Sequence, residues 1–489
     1  MSEGGNVMHV ILLSGGSGKR LWPLSNDARS KQFLKLFRND AGEHESMVQR
    51  VWGQLSQAGL GHQAYIATGR AQVEVIQSQL GEEPAIIVEP ERRDTFPAIA
   101  LSAACLYAVH GVPLDAVVAV LPVDPFVGDH FFAKVMELEE ALLSSNADIG
   151  LLGVSPAYPS AKYGYIVPIA DTPVDAIGGK NNDPSLPYRL VSHFEEKPDE
   201  ERALQLMEQQ ALWNCGVFAF RLGYMVQELE ARGLPTDYDR LLEQYQQLRK
   251  ISFDYEVVEK AERVIVLPYA GDWKDLGTWN TLTEEMSSSL IGHAIKCDES
   301  LNTHVVNELD LPVIVLGVSN AVIAVSPDGI LVADKAASPR IKEVMQHREY
   351  RPMYEERRWG RYRVLDYTKH PECGEVLTKR IRISAGRNLS YQYHTQRREV
   401  WTVIAGQGEM VLDGSLHTIA AGDVVIVPPL MKHSIRATAE LEIIEVQTGT
   451  ELTEEDIVRL ALDWETIVRE HVADGLNEMK AMAAVEVPR

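Results

Sequence analysis

Residues 10–21 read Val-Ile-Leu-Leu-Ser-Gly-Gly-Ser-Gly-Lys-Arg-Leu, an apolar run that leads directly into a glycine-rich turn. This pattern of a strand followed by a turn predicts an α/β domain with a mostly parallel sheet and helices on both faces. Ligands of such sheets lie beyond the carboxyl ends of the strands, which is where the glycine-rich turn falls. Further short apolar runs alternate with amphipathic stretches in the first half of the chain, at 47–55, 64–67, 73–80, 85–88, 97–109 and 116–121.

The glycine-rich turn predicts a binding site for phosphate groups. Glycines allow backbone N–H groups to approach phosphate oxygens because no Cβ intervenes. Arg20 and Lys31 can offset the charge on a phosphoryl group that is being transferred. The turn fits neither of two common phosphate motifs, since Leu21 replaces a glycine of the dinucleotide fingerprint and Leu13 replaces a glycine of the Walker A loop. An ordinary glycine turn is the remaining alternative.

Composition and charge limit the classes of protein that fit this chain. Its 489 residues, 45% hydrophobic and 24% charged, predict roughly two to four globular domains. The longest apolar runs, 116–123 and 311–318, are too short to span a bilayer, and no signal peptide is visible, so we expect a cytoplasmic protein without a membrane partner. The net charge of −23 argues against a nucleic-acid partner. The single cysteines 105, 215, 297 and 373 predict reduced thiols.

The chain changes character after its first half. Short β segments between 313 and 333 predict a small β connector, followed by a linker with a helix. From 376 to 446, short alternating strands separated by glycine turns predict an all-β barrel or jelly roll. The tail has helical spacing from Thr453, its expected N-cap, to about Met482. The predicted regions are the α/β domain, 1–288; the β connector and linker helix, 289–350; the barrel domain, 351–450; and the helical tail, 451–489.

The glycine-rich turn is the first of several landmarks that follow in order across the first domain. It continues as Leu-Trp-Pro-Leu-Ser over 21–25 and is followed by Lys31-Gln32-Phe33. The later landmarks are Glu89-Pro90 with Arg93, Thr95 and 97–100; Leu121-Pro122-Val123-Asp124; Tyr163-Gly164-Tyr165-Ile166; Phe194-Glu195-Glu196-Lys197-Pro198; Trp213-Asn214-Cys215-Gly216; and Asp-Trp-Lys-Asp-Leu-Gly-Thr-Trp at 272–279. This ordered set resembles the signature of the mannose-1-phosphate guanylyltransferases, which are nucleotidyltransferases with a Rossmann-like α/β fold. The resemblance covers about residues 8–345.

The resemblance implies that mannose 1-phosphate attacks the α-phosphorus of GTP, which yields GDP-mannose and pyrophosphate. Asp124 follows the apolar run 117–121, so its carboxylate is expected at a strand end, where Mg²⁺ can bridge it to phosphate oxygens. Asp275 is the second acidic position of the family. The alternative for Asp124 is that it merely starts a turn. The implied catalytic residues are Arg20, Lys31, Asp124 and Asp275, of which Asp124 and Asp275 hold the metal; the nucleotide-binding residues are Leu13, Gly15, Gly16, Ser17, Gly18 and Arg93.

The resemblance also assigns a pocket for the sugar phosphate. Glu196 and Asn214 would bind sugar hydroxyls, Lys197 would bind the phosphate, and Gly164 would allow close approach. A surface charge run with a loop asparagine is the alternative. Some positions depart from the family and leave open which nucleoside triphosphate and sugar 1-phosphate are used: Ser30 replaces a usual proline, Asp94 an asparagine, Phe96 an alanine and Pro125 a histidine.

The barrel region carries a second constellation of candidate ligands. Gln392, His394, Glu399 and His433 follow a spacing close to the double motif of cupins. Strand alternation places Gln392 and His394 on one face, as two ligands of one ion require. Four nitrogen and oxygen ligands suit Zn²⁺ or another borderline divalent ion. A structural role for a strand histidine is the alternative.

The surroundings of these ligands, 389–401 and 444–449, resemble the type II mannose-6-phosphate isomerase domain that is often fused to this transferase. The resemblance implies that a metal polarises the carbonyl of fructose 6-phosphate or mannose 6-phosphate while a proton moves between C1 and C2. Arg397 would bind the substrate phosphate. Departures from that family leave a non-catalytic sugar- or metal-binding module as the alternative: Thr395, Gln396 and Val400 replace usual histidines, and Leu430 replaces a glycine. Together the two halves predict a homo-oligomeric enzyme of polysaccharide biosynthesis.

Overall fold

The structure, a computed structural model, describes residues 8–16, 18–26, 28–169, 186–346, 351–371, 374–454 and 456–472. Strands and helices alternate in the first domain, as the sequence predicts. Its strands are β1 (His9–Leu13), β2 (Phe37–Arg38), β3 (His44–Glu45), β4 (Ala64–Gly69), β5 (Ala85–Glu89), β6 (Val117–Pro122), β7 (Pro125–Val127), β8 (Ile149–Val154), β9 (Gly164–Pro168), β10 (Arg189–Glu196), β11 (Leu212–Arg221), β12 (Val264–Tyr269) and β13 (Trp273–Asp275). Its helices are α1 (Met47–Gln57), α2 (Val73–Leu80), α3 (Thr95–Ala104), α4 (His130–Ser145), α5 (Glu200–Glu208), α6 (Leu222–Ala231), α7 (Tyr238–Glu243), α8 (Phe253–Glu256) and α9 (Trp279–Glu285).

A nine-stranded sheet in the order β5-β4-β1-β6-β11-β8-β12-β10-β9 forms the centre of this domain. The α/β class is confirmed, but the sheet is mixed rather than mostly parallel. Neighbours are parallel from β5 to β6 and between β8 and β12, whereas β11 runs antiparallel to both β6 and β8. Apolar runs identify strands but not their direction, which depends on how the chain returns to the sheet.

The strand that precedes the glycine-rich turn is apolar because helices cover both faces of the sheet. Val10 and Leu12 pack in one core with residues of α1 and α4, and Ile11 points into the opposite core with residues of α3 and α6. All three side chains are fully buried. The cysteines 105, 215 and 297 are free thiols, and Cys373 lies outside the described residues.

The connector is a small β unit that packs beneath the segment after the glycine-rich turn. The strands β14, β16 and β18 are parallel, and β19 returns antiparallel to β18. Val306 and Val322 share a core with Leu21, Leu24 and Trp279, so the connector supports the loop that carries the predicted catalytic cations. The elements are β14 (Leu290–Ile291), β15 (Ala294–Lys296), β16 (His304–Asn307), β17 (Val313–Val315), β18 (Ala321–Ser326), β19 (Gly329–Asp334) and α10 (Ile341–Val344).

The C-terminal region folds as the expected all-β barrel of two sheets around one core. One sheet has the order β20-β21-β22-β29-β24-β27, and the other has the order β26-β25-β28-β23-β30. The strands are β20 (Tyr354–Arg357), β21 (Gly360–His370), β22 (Gly374–Ile383), β23 (Tyr391–Tyr393), β24 (Arg397–Ala405), β25 (Gln407–Leu412), β26 (Ser415–Ala420), β27 (Val424–Val427), β28 (His433–Ala437), β29 (Leu441–Gly449) and β30 (Val458–Ala461).

The tail differs from its prediction. A helix from Thr453 was expected, yet Val458–Ala461 is a strand that pairs with β23. The helix prediction is wrong for this segment because its pairing with the edge of a barrel sheet overrides the local helical periodicity of the sequence. The helix α11 (Trp464–His471) begins later, where Asp463 Oδ1 accepts a hydrogen bond from the backbone N–H of Thr466 at 2.8 Å. Residues 473–489 lie outside the described part of the chain. Among the described residues, no helix is long and apolar enough to cross a membrane.

Candidate active site

The glycine-rich turn emerges at the carboxyl ends of neighbouring strands and enters a short helical turn, Gly18–Leu21. The backbone N–H of Val123 donates to the carbonyl of Leu13 at 3.3 Å, which fixes the ends of β1 and β6 side by side. A Cβ on Gly16 would meet no atom within 4 Å, so protein packing alone does not require glycine there. This open position suits the predicted approach of phosphate oxygens to the backbone. Ser17 lies outside the described residues.

Lys31 links the two predicted metal ligands. Its Nζ lies 2.8 Å from Asp124 Oδ2 and 3.2 Å from Asp275 Oδ1. The strands β7 and β13 form an antiparallel ribbon in which Asp275 stands opposite Pro125, and this register brings Asp275 beside Asp124. Burial lowers the pKa of Lys31, but the two carboxylates raise it by more, so the pKa lies above its usual value and the ammonium stays charged.

These groups line a cavity of about 410 Å³, a volume typical of a small-molecule site. Two carboxylates at one point supply the hard oxygen ligands that Mg²⁺ prefers, so the donor set fits the expected ion. The cavity also has an aromatic wall that the sequence analysis did not assign to the site, since the rings of Tyr163 and Trp273 meet edge to face at 5.4 Å. The predicted residues that line the cavity are Gly15, Gly16, Arg20, Lys31, Asp124, Asn214 and Asp275.

The predicted sugar-phosphate residues lie on neighbouring strands. Glu196 stands opposite Gly164 in the register of β10 and β9. A Cβ on Gly164 would overlap Glu196 Oε2, so only glycine permits this carboxylate to approach the strand. Lys197, with a φ of 48°, turns back to form an ion pair with Glu196. The close approach expected at Gly164 is therefore made by Glu196 itself.

Asn214 is held by a partly buried acid, Asp254, that the sequence did not indicate. Asn214 Nδ2 donates to Asp254 Oδ1 at 2.6 Å, and Asn214 Oδ1 accepts from the backbone N–H of Gly216 at 3.0 Å. Both ends of the amide are thus fixed. Burial raises the pKa of Asp254 to about 6, an effect that the Asn214 hydrogen bond opposes. A single aspartate on the short helix α8 carries no motif, so no sequence signal pointed to it.

Among the predicted nucleotide-binding residues, Leu13 and Arg93 make contacts away from the cavity. Leu13 ends β1 and contributes its carbonyl to the contact with Val123. Arg93 Nη1 donates to the carbonyl of Leu248 at 2.7 Å, and its Nε contacts Glu91. Nucleotide binding by Leu13 and Arg93 stays a prediction.

Three of the four predicted barrel ligands converge in the buried interior. His394 Nε2 lies 3.2 Å from Glu399 Oε1, and His433 Nε2 lies 3.7 Å from Glu399 Oε2. One ligand atom from each residue falls within 4.8 Å of the others. His433 Nε2 and Glu399 Oε2 are buried without a hydrogen-bond partner among the described residues, which is costly unless another group binds them. The residues therefore fit a divalent metal.

Backbone carbonyls fix the orientation of both histidine rings. His394 Nδ1 lies 2.7 Å from the carbonyl of Asp456, and His433 Nδ1 lies 2.9 Å from the carbonyl of Met431. Each Nδ1 donates its proton to such an oxygen, so each Nε2 presents a lone pair to the interior, as in metal-ligating histidines. Burial lowers the pKa of His394 to about 4, which keeps the ring neutral at physiological pH.

The remaining barrel residues surround this cluster. Gln392 stands opposite His433 in the sheet, and Ser390 Oγ donates to Gln392 Oε1 at 2.6 Å. Arg397 Nε donates to Glu399 Oε1 at 2.9 Å, so the guanidinium orients a candidate ligand. Burial raises the pKa of Glu445 to about 7, and the nearby Glu399 carboxylate adds to this effect. A group with a pKa near neutrality can exchange a proton, and the sequence analysis did not assign this role to Glu445.

Comparisons with known proteins match both halves of the chain. A family model for nucleotidyl transferases matches residues 9–290, and one for the mannose-6-phosphate isomerase C-terminal domain matches 341–462. The chain belongs to the nucleotidyl transferase family. The alginate biosynthesis protein AlgA of Pseudomonas syringae pv. tomato is 31% identical over 92% of this chain and 95% of its own length. The xanthan biosynthesis protein XanB of Xanthomonas campestris pv. campestris (strain B100) is 30% identical over 92% of this chain and 97% of its own length.

Further relatives confirm the expected family of the first domain and its fusion to an isomerase-type barrel. The mannose-1-phosphate guanylyltransferase of Salmonella montevideo is 28% identical over 92% of this chain and 98% of its own length. A crystal structure described as mannose-1-phosphate geranyltransferase from Thermus thermophilus is 30% identical, with a TM-score of 0.57, over 70% of this chain and 98% of that one. The Thermus thermophilus structure shares the α/β fold described above.

Three of the positions that depart from the family pattern have local explanations in this nucleotidyl transferase. Ser30 Oγ donates to the carbonyl of Gly16 at 2.9 Å and so ties the glycine-rich turn to the Lys31 segment. Asp94 is the N-cap of α3, and its Oδ1 accepts a hydrogen bond from the backbone N–H of Thr95 at 2.8 Å. Pro125 begins the strand that positions Asp275.

Proposed function

We propose that the first domain transfers a guanylyl group from GTP to mannose 1-phosphate and releases pyrophosphate. The observation that carries this proposal is the cluster of Lys31, Asp124 and Asp275 at the end of β6, beside the open glycine-rich turn. The guanylyltransferase named among the relatives supports the choice of substrates. The names of the alginate and xanthan relatives support a place in polysaccharide biosynthesis.

The residues of this site would have two roles in the reaction: some neutralise charge, and others position the substrates. Asp124 and Asp275 would hold Mg²⁺, which when bound neutralises charge on the phosphate oxygens. Arg20 and Lys31 face the same cavity and offset the charge that grows on the α-phosphate and the departing pyrophosphate. Asn214, oriented by Asp254, would bind a sugar hydroxyl and thereby align the attacking phosphate of mannose 1-phosphate.

Pyrophosphate release tests this function. Purified full-length protein with GTP, Mg²⁺ and mannose 1-phosphate should release pyrophosphate in equal amount to the GDP-mannose formed. A panel of the other nucleoside triphosphates and sugar 1-phosphates measures the preference that Phe96 and Pro125 leave open. Absence of pyrophosphate with every pair in the panel contradicts nucleotidyl transfer; release with a different pair corrects only the substrates.

For the barrel, we propose interconversion of fructose 6-phosphate and mannose 6-phosphate at a divalent metal, with Zn²⁺ as the first candidate. The inward-facing Nε2 atoms of His394 and His433, together with Glu399, support a metal centre. Bound metal would polarise the sugar carbonyl. Glu445, with its pKa near 7, is the nearby group suited to carry a proton, and Arg397 would bind the phosphate.

Isomerase activity should require added metal and should vanish in His394→Ala. A matched control is His417→Ala, which changes a histidine on the outer strand β26 and should leave the rate unchanged. If the wild-type protein converts neither sugar phosphate with any divalent metal but still binds metal, the barrel is a non-catalytic binding module. We further propose a cytoplasmic homo-oligomer, which fractionation of the source cells and light scattering would test.

A further inference from the structure

A cleft of about 610 Å³ lies where the α/β domain, the connector and the barrel meet. Lys35 and Ser78 line it from the first domain, Asp310 from the connector, and residues of β21 and β22 from the barrel. None of its lining residues belongs to the cavity around Lys31. The cleft is therefore a second concave surface with its own chemistry.

Four arginines project into this cleft from one face of the barrel. In the antiparallel register of β21 and β22, Arg361 stands directly opposite Arg382, and Arg363 stands directly opposite Arg380. All four line the cleft. Like charges placed directly opposite each other destabilise a strand pair, so two such pairs side by side are not explained by the stability of the sheet. An anion bound between them would remove the repulsion.

The carboxylates nearby neutralise these guanidinium groups only in part. Glu442 is shared, with Oε2 3.1 Å from Arg382 Nε and Oε1 3.4 Å from Arg380 Nε. The latter contact is not a hydrogen bond, and Arg380 Nε is buried without a partner among the described residues. Arg363 faces Asp310 at 3.4 Å, and the Asp310 side chain is 85% exposed, so this pair is weak.

Arg361 has no ion pair within the described part of the chain. The nearest acid in the sheet, Glu356, stands opposite it, but the Glu356 carboxylate is engaged by Lys35 at 3.4 Å and by Ser78 Oγ at 2.9 Å. Of the other acids that line the cleft, Glu308 is paired with the buried Arg29, and Glu440 forms no ion pair with any of the four arginines among the described residues. Guanidinium donors of Arg361, Arg363 and Arg380 thus remain for a ligand.

We propose that this cleft binds a small phosphate-bearing molecule at a site separate from that of nucleotidyl transfer. Guanidinium forks match phosphate oxygens in pairs, and neighbouring arginines at strand spacing can hold two phosphate groups or one diphosphate. The volume suits a nucleotide or a sugar phosphate. A long anionic polymer fits poorly, because the surface outside such clefts is strongly acidic in a chain with a net charge of −23.

The position of the cleft gives the ligand contact with both catalytic halves. Arg29 lies two residues before Lys31, and residue Tyr362 of β21 borders both this cleft and the barrel cavity that contains Glu399. A bound phosphate would therefore lie next to residues that adjoin both the transfer site and the barrel site. This arrangement suits an effector that reports the level of a phosphorylated metabolite.

Binding of inorganic diphosphate to the full-length protein, measured by calorimetry without divalent metal, tests the proposal. Because diphosphate also resembles the product of the transfer site, we expect two classes of site in the wild-type protein. The double variant Arg361→Gln/Arg363→Gln should weaken diphosphate binding at the cleft at least tenfold and leave binding at the transfer site unchanged. Lys31→Ala should weaken binding at the transfer site alone. The double variant Arg361→Lys/Arg363→Lys keeps the positive charges and should retain part of the affinity of the cleft for diphosphate. Retained binding would show that substitutions at these two positions leave the cleft folded.

A matched control removes two exposed arginines elsewhere, Arg263→Gln/Arg469→Gln, and should bind diphosphate like the wild type. Equal weakening in this control means general electrostatic attraction and overturns the site. A single class of site that only Lys31→Ala removes also overturns it. Binding of a short oligonucleotide that depends on Arg361 and Arg363, without binding of diphosphate, assigns the surface to a polymer and contradicts a small ligand.

Discussion

Lys31 Nζ lies between Asp124 Oδ2 and Asp275 Oδ1, at 2.8 and 3.2 Å, and so joins a side chain just after β6 of the central sheet to one on the two-stranded ribbon of β7 and β13. One ammonium with two carboxylates carries a net charge of −1, which attracts a divalent cation. With that cation the cluster becomes positive and can accept phosphate oxygens. Under the proposed function, the same three residues would bind the divalent cation first and the anionic substrate after it.

Replacement of this lysine should slow the chemical step. In Lys31→Ala we expect kcat to fall by ~100-fold or more, because a preorganised cation facing the transferring phosphate is lost from a partly buried site. Steady-state rates of pyrophosphate release measure the effect. Lys134→Ala, which removes a surface lysine paired with Glu137, is the control and should keep the wild-type rate. A Lys31→Ala enzyme with full kcat contradicts the assigned role.

Gly164→Ala should weaken sugar-phosphate binding. The new Cβ would overlap Glu196 Oε2, so the carboxylate must move from its place beside the strand. Loss of a hydrogen bond from such a charged group predicts a rise of about tenfold in KM for mannose 1-phosphate, with KM for GTP unchanged. Gly53→Ala, in α1 with no atom within 4 Å of its new Cβ, is a matched control. An equal rise in both KM values argues against a sugar-specific role for Glu196.

Asp254 should make folding stability depend on pH. Its pKa rises from 3.8 to about 6 on burial, so the folded protein binds this proton more tightly than the unfolded chain does. The resulting stabilisation is complete below pH ~4 and is lost as the pH rises through 6. Asp254→Asn keeps an oxygen acceptor for Asn214 but cannot ionise, so its stability should fall less between pH 4.5 and 7.

The difference between the two proteins should be on the order of 2–3 kcal/mol, from about 1.4 kcal/mol for each unit of pKa. Denaturant unfolding at both pH values, followed by tryptophan fluorescence, measures it. Asp115→Asn, at an exposed position, should show the same pH dependence as the wild type. Parallel stability curves for wild type and Asp254→Asn would rule out burial of the charged carboxylate.

The sequence predicted the parts of the site that a short motif carries, and missed those that depend on tertiary packing. The glycine-rich turn and Asp124 follow strands that hydrophobic patterning reveals, and Lys31, which a short motif marks, lies beside Asp124 in the structure. Asp254 has no motif, because its importance arises from a single hydrogen bond to Asn214 across the sheet edge. The predictions of a mostly parallel sheet and of a helix from Thr453 were wrong for a related reason: sheet pairing is decided by distant residues and not by local periodicity.

Arg29 shows how such long-range contacts hold the catalytic loop. Its Nη1 and Nη2 donate to Glu308 Oε2 and Oε1 at 3.0 and 2.9 Å, and its guanidinium lies 4.9 Å from the centre of the Tyr354 ring. Burial lowers the pKa of Arg29, but Glu308 raises it by more, so the pair stays ionised. One side chain of the α/β domain thus contacts both the connector and the barrel.

Arg29→Ala should destabilise the protein by about 2–3 kcal/mol, because removing one partner leaves Glu308 as an uncompensated, largely buried charge. Thermal unfolding should show a lower Tm, and nucleotidyl transfer should slow because Lys31 follows two residues later. The double variant Arg29→Met/Glu308→Leu removes both charges with little change in volume and should recover most of the lost stability. If the double variant is as unstable as Arg29→Ala, the loss comes from packing against Tyr354 and not from the stranded carboxylate.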